Sequence, residues 1–281
     1  MYSEPRDVID ADYRVTPTGE IEGPRKQPRW KTLLGPLAAA LLFAATKFKF
    51  LLAAVKGLPF LTTGLTAIVS IGAYAWAFGW QFGVGLVALI FIHEMGHVLA
   101  LRRYGVKASA PIFIPFLGAF IGMKQLPKNA TMEAVVGLGG PIIGSLGALA
   151  AWVLYTIDGH PIFLVMAYFG VLLNLFNLLP VLPLDGGRAV GAISRWLWVA
   201  GYAGLLLLML WRPSPILLIV LLFGAPEVWN AIRRGRSPED AYYAVPFGHR
   251  VAVGATYFGL MLVLGLAFYE LSPMIYDNRP S

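Results

Sequence analysis

The 281-residue chain contains no cysteine. That excludes a disulfide framework and any thiolate metal site, so only histidine and carboxylate side chains are left as metal ligands. Charge is scarce too: Asp, Glu, Lys and Arg make up 13% of the residues and hydrophobic residues 58%, and mean hydropathy is +0.68, whereas about a quarter of a soluble domain is charged. A chain this apolar reads as a polytopic membrane protein. Its formal net charge of +7 comes from short basic clusters between apolar runs, as in loops that obey the positive-inside rule, and does not point to nucleic acid as a partner. The first thirty residues hold no apolar run, so no cleavable signal peptide is expected and the N-terminus is placed in the cytosol. An inverted internal repeat, common in transporters, is missing as well.

What is present divides the chain in four. Residues 1–31 mix acidic and basic side chains without apolar periodicity and read as a disordered soluble tail. Residues 32–56 are apolar but carry Lys47, Lys49 and Lys56, a pattern that suits helices lying at the membrane surface. Residues 57–195 form a core with spans expected at 57–78, 82–103, 134–157 and 162–179. Residues 196–281 add a shorter helical hairpin, 196–211 and 215–229, and a last span at 251–270. The fold class is thus an all-α polytopic membrane protein with about six to seven transmembrane helices.

One apolar run, residues 111–123, is too short to span and is flanked by Lys107, Lys124 and Lys128. Pro115 and Gly118 disfavour a helix there and the Ile and Phe content favours extended structure, so a short re-entrant β-hairpin is expected. Gly140 and Gly144 have the small-xxx-small spacing that lets another helix approach closely. The sequon at Asn129 falls on the cytosolic side of this topology and is taken as chance.

The chemistry sits in two polar islands. Within the apolar run 82–103 stands His93-Glu94-Met95-Gly96-His97, and ionisable groups inside a membrane helix cost roughly 2.5–3.5 kcal/mol each, which marks a functional site. Residues four apart share one helix face, so His93 and His97 can bind a single zinc ion, with Glu94 beside them as general base toward the metal-activated water. A catalytic zinc needs a third ligand. The extended zincin pattern would place a histidine at position 103, which is Arg103. Glu133 and Glu239 fall in expected polar loops, Asp158 and His160 on the far side, and His249 at an interface. Asp185, carried to membrane depth by the broken fourth span with its Pro180, Pro183, Gly186 and Gly187, is the expected third ligand, a helix cap at the turn into Arg188 being the lesser alternative. Asn177 could hydrogen-bond substrate backbone or satisfy carbonyls freed by Pro180. Leu117 and Ala119, on an exposed strand edge, could hold a substrate extended by β-addition. The competing reading is a metal or proton transporter using the same His and Asp cluster.

The HEMGH helix, the Gly140-Pro141 segment and the run from Asn177 to Gly186, NLLPVLPLDG, together resemble the site-2 protease family of intramembrane zinc metalloproteases, in a compact form without PDZ or CBS domains. The resemblance covers roughly residues 57–195. It implies one Zn2+ on His93, His97 and Asp185, water activation by Glu94, and a single-pass membrane protein as substrate. Membrane lipid is then the surrounding partner, and a bacterial or archaeal cytoplasmic membrane the expected location.

Overall fold

The computed structural model describes residues 14–15, 21–22, 59–123, 125–233 and 241–277, and the chain separates into two compact units, Met1–Gly57 and Leu58–Ser281. In the first, β1 (Arg14–Val15) pairs antiparallel with β2 (Ile21–Glu22). The rest of the expected tail, the expected surface segment 32–56, and Glu239 lie outside the described residues.

The second unit is helical. Its helices are α1 (Pro59–Phe78), α2 (Trp80–Arg103), α3 (Ala130–Asp158), α4 (Pro161–Asn177), α5 (Asp185–Ile193), α6 (Trp196–Trp211), α7 (Pro215–Arg233) and α8 (Phe247–Asp277). By length and composition α1, α2, α3 and α8 can each cross a membrane, and α4, α6 and α7 are shorter apolar helices. At ~1.5 Å per residue, the 24 residues of α2 reach ~36 Å, more than a ~30 Å hydrocarbon core. α3 lies at the centre of the unit, packed against α2, α4, α5 and α8. It starts four residues before the expected 134, because Asn129 caps it: the Asn129 side chain accepts a hydrogen bond from Met132 N at 2.9 Å. The residue that formed the sequon is a helix cap.

The expected hairpin is present. Strands β3 (Ile112–Ile114) and β4 (Gly118–Phe120) pair antiparallel with Phe113 opposite Ala119. Leu117 N donates to Ile114 O at 3.1 Å across a turn with Pro115 at its second position, and Phe116 takes a positive φ of 63°. That conformation is uncommon for a bulky residue. It is held by Tyr74 of α1, whose hydroxyl accepts from Phe116 N at 3.1 Å. Two more α1 hydroxyls grip the same strand: Thr63 Oγ1 donates to Pro111 O at 2.7 Å and Thr66 Oγ1 accepts from Phe113 N at 3.2 Å. Leu117 therefore sits in the turn, 68% exposed, and only Ala119 of the two expected edge residues lies on a strand.

Between α4 and α5 the chain is irregular from Leu178 to Leu184, as Pro180 and Pro183 require. The expectation that Gly186 and Gly187 also interrupt helix is corrected, since both lie in the first turn of α5. They are glycine because of crowding: a Cβ at Gly186 would stand 2.1 Å from Leu178 O, and one at Gly187 2.5 Å from Leu182 N. The freed Leu178 carbonyl is met from α8, where the fully buried Tyr257 hydroxyl donates to it at 2.7 Å. From α6, Trp198 Nε1 donates to Gly187 O at 2.6 Å.

Candidate metal centre

His93 and His97 lie one turn apart on α2, and α5 begins with Asp185 facing them. His93 Nε2 is 3.1 Å from Asp185 Oδ2, His97 Nε2 is 3.2 Å from the same oxygen, and the two Nε2 atoms are 3.2 Å apart. Asp185 is not the N-cap of α5, which is Leu184, but lies in its first turn. Three ligand atoms thus form a nearly equilateral triangle. A tetrahedral zinc with bonds of ~2.0–2.1 Å sets its ligands about 3.3–3.4 Å apart, so these residues fit such an ion after a displacement of ~0.2 Å. Glu94 is buried, with 8% exposure, and its carboxylate falls with the two imidazoles inside a group spanning 4.8 Å. It is the more distant of the two carboxylates.

α3 provides the room. A Cβ on Gly140 would stand 2.3 Å from His97 Nε2 and 2.7 Å from His93 Nε2, and one on Gly144 would stand 2.3 Å from Asn174 Oδ1. Gly137 faces Asp185 O in the same way, at 2.9 Å. The small-xxx-small pair lies where α2 and α4 approach α3, with site side chains of both helices lodged against it. The close backbone crossing is made by Gly96 of α2 and Gly139 of α3, where a Cβ on Gly96 would come within 2.1 Å of Gly139 O.

The distal ring nitrogens are also engaged. His97 Nδ1 lies 2.8 Å from Val136 O, and because a carbonyl only accepts, this nitrogen carries the proton and Nε2 the lone pair. His93 Nδ1 lies 2.9 Å from Asn174 Oδ1. Sequence reasoning missed Asn174, which reads there as one amide in an apolar helix; its spacing three residues before Asn177 is the faint signal. Asn177 Nδ2 donates to Leu173 O at 3.0 Å within its own helix.

A cavity of about 190 Å³ opens onto this cluster, lined by His93, Glu94, His97, Asp185 and Asn177 on one side and by residues 117–121 of the hairpin on the other. Arg188, one turn into α5, also lines it. Phe113 N points away from β4 to Thr66, which makes Phe113 and Ala119 a non-hydrogen-bonded pair. Ala119 therefore turns its own N–H and C=O outward along the free edge of β4, beside the cavity.

Residues 81–160 match the model for peptidase family M50. A zinc metalloprotease of Methanocaldococcus jannaschii is 28% identical over 113 residues, 38% of this chain and 32% of that protein. The protein Rip3 of Mycobacterium tuberculosis is 34% identical over 141 residues, 46% of this chain and 35% of that one. Stage IV sporulation protein FB of Bacillus subtilis is 26% identical over 105 residues, 37% and 36% of the two chains. The chain spans about a third of the length of the curated relatives it matches. The four long apolar helices make the chain an integral membrane protein, and its residues 81–160 are similar to peptidase family M50.

Proposed function

We propose that the protein is an intramembrane zinc metalloprotease that hydrolyses peptide bonds in or near the transmembrane segment of single-pass membrane proteins. The observation that supports this best is the triangle of His93 Nε2, His97 Nε2 and Asp185 Oδ2, with Glu94 beside it and a strand edge across the cavity. These three residues hold one zinc ion. Once bound, zinc acts as a Lewis acid toward the scissile carbonyl and lowers the pKa of a water from ~15.7 to about 7. Glu94, outside the triangle and buried, accepts the proton of the attacking water and returns it to the leaving amine. No covalent intermediate with the protein is needed.

A helical peptide bond is shielded by its own hydrogen bonds, so the substrate has to be extended before hydrolysis. The outward N–H and C=O of Ala119 provide a place for that strand to pair, Leu117 at the turn contributes apolar contact, and Asn177 faces the same cavity. Counting α4, α6 and α7 as crossings beside α1, α2, α3 and α8 gives seven spans, the upper end of the expected six to seven. The N-terminus then lies in the cytosol of a bacterial or archaeal cell.

The test compares membrane proteomes of cells carrying the wild type and Glu94→Gln. A single-pass protein stabilised only in the variant, which still binds zinc, is the expected result. Unchanged proteomes together with metal flux through Glu94→Gln vesicles equal to wild type would replace the protease with a transporter.

A further inference from the structure

We infer that Asn174 is a positioning residue that holds His93 in the one tautomer able to bind a metal, an inference that rests on the zinc reading above. Asn174 lies on α4 with 1% exposure, where an unpaired amide would cost ~1–3 kcal/mol. Its Nδ2 donates to Gly170 O at 2.7 Å. Since that carbonyl can only accept, the amide has a single sensible orientation, and Oδ1 is the atom turned to His93 Nδ1 at 2.9 Å. An acceptor facing Nδ1 keeps the proton there and leaves the lone pair on Nε2.

This matters because of the neighbour on the other side. His93 Nε2 is 3.1 Å from Asp185 Oδ2, hydrogen-bonding distance. Were the ring to carry its proton on Nε2, it would donate to Asp185, and the pair would satisfy each other with a ligand position lost on both. Asn174 closes off that self-satisfied state. With His97 fixed in the same sense by Val136 O, three lone-pair atoms converge with no proton among them, an arrangement that a cation relieves. Gly144 belongs to the device, because any side chain there would displace Asn174 Oδ1. The orienting bond crosses from α4 to α2, 81 residues apart.

The experiment measures zinc affinity of the full-length protein in detergent by chelator competition, for wild type, Asn174→Leu and Asn174→Asp, with thermal unfolding of the zinc-free proteins alongside. Leucine keeps the volume and removes both the acceptor and the donor to Gly170 O; aspartate keeps the acceptor and, as the neutral acid, an O–H that can replace the donor to Gly170 O. Loss of the partner that orients a ligating histidine costs roughly 10–100-fold in metal affinity, and that weakening is expected for Asn174→Leu, with Asn174→Asp staying closer to wild type. Equal affinity in wild type and Asn174→Leu overturns the inference and leaves the zinc site standing. Equal weakening in both variants also overturns it, by reducing Asn174 to packing. Wild-type protein that takes up no zinc overturns the parent reading instead. Should the leucine variant fail to fold, Asn174→Ala, which also lacks the acceptor, carries the same comparison.

Discussion

Replacing Gly140 with alanine adds one methyl group at the most crowded point of the site. The new Cβ would lie 2.3 Å from His97 Nε2, 2.5 Å from His97 Cε1 and 2.7 Å from His93 Nε2, while ordinary contacts of this kind are ~3.5 Å. Both imidazoles, or α3 itself, have to move by about 1 Å. Metal sites tolerate ligand displacements of ~0.2 Å, and α3 cannot retreat without opening the Gly96–Gly139 crossing. Zinc affinity should fall on the order of 100-fold, which is about 2.8 kcal/mol at 1.4 kcal/mol per decade. Fold stability should change far less, because alanine gains about 1 kcal/mol of helix propensity over glycine and that offsets part of a ~1–3 kcal/mol overpacking cost. Chelator competition reads the first quantity and thermal unfolding of the zinc-free protein the second. Gly72→Ala, with nothing within 4 Å of its added Cβ, should leave zinc affinity unchanged and serves as control. Wild-type zinc affinity in Gly140→Ala would refute the placement of the ligands against α3.

Three further outcomes are expected. Asp185→Asn should lower zinc occupancy well below one per chain by metal analysis, whereas full, tight zinc would remove Asp185 from the ligand set. Ala119→Pro should abolish cleavage with zinc content intact, because it deletes the outward N–H of the free strand edge; cleavage at the wild-type rate would exclude β-addition there. Tyr242, in the loop before α8, donates to Glu133 Oε2 at 2.7 Å, and burial followed by the Glu133 carboxylate raises its pKa above the ordinary tyrosine value. A folded-state pKa raised in this way gives stability that is complete below pH ~10 and is lost as pH rises past it. Tyr242→Phe should flatten the alkaline limb of the unfolding temperature against pH; an unchanged limb would show that another group sets it.

The parts of the site that sequence revealed are those with local periodicity. Histidines four apart in an apolar run specify a shared helix face, and Pro180 with Pro183 specify a break near Asp185. Pro115 and Gly118 in a β-prone run specify the hairpin. What stayed illegible depends on contacts between distant elements. Tyr257 reaches the Leu178 carbonyl across 79 residues, and nothing in the composition of α8 signals it. Gly137, Gly140 and Gly144 look like a helix-packing stripe because sequence records that a side chain is absent, not what fills the space. Asn129 satisfies a sequon and a helix cap with the same atoms, and only the start of α3 decides between them.

The crossing at Gly96 and Gly139 has a mechanical consequence. Where backbone rests on backbone there are no rotamers to rearrange, so the floor of the site, α2 on α3, has no hinge of its own. The opposite wall is tied to α1 by three hydroxyl groups, those of Thr63, Thr66 and Tyr74, and packs through Phe113 with Tyr74 of α1 and with Val87 and Ile90 of α2. Any change in the width of the cavity therefore falls to α1 and the hairpin, while His93 and His97 keep their spacing on α2.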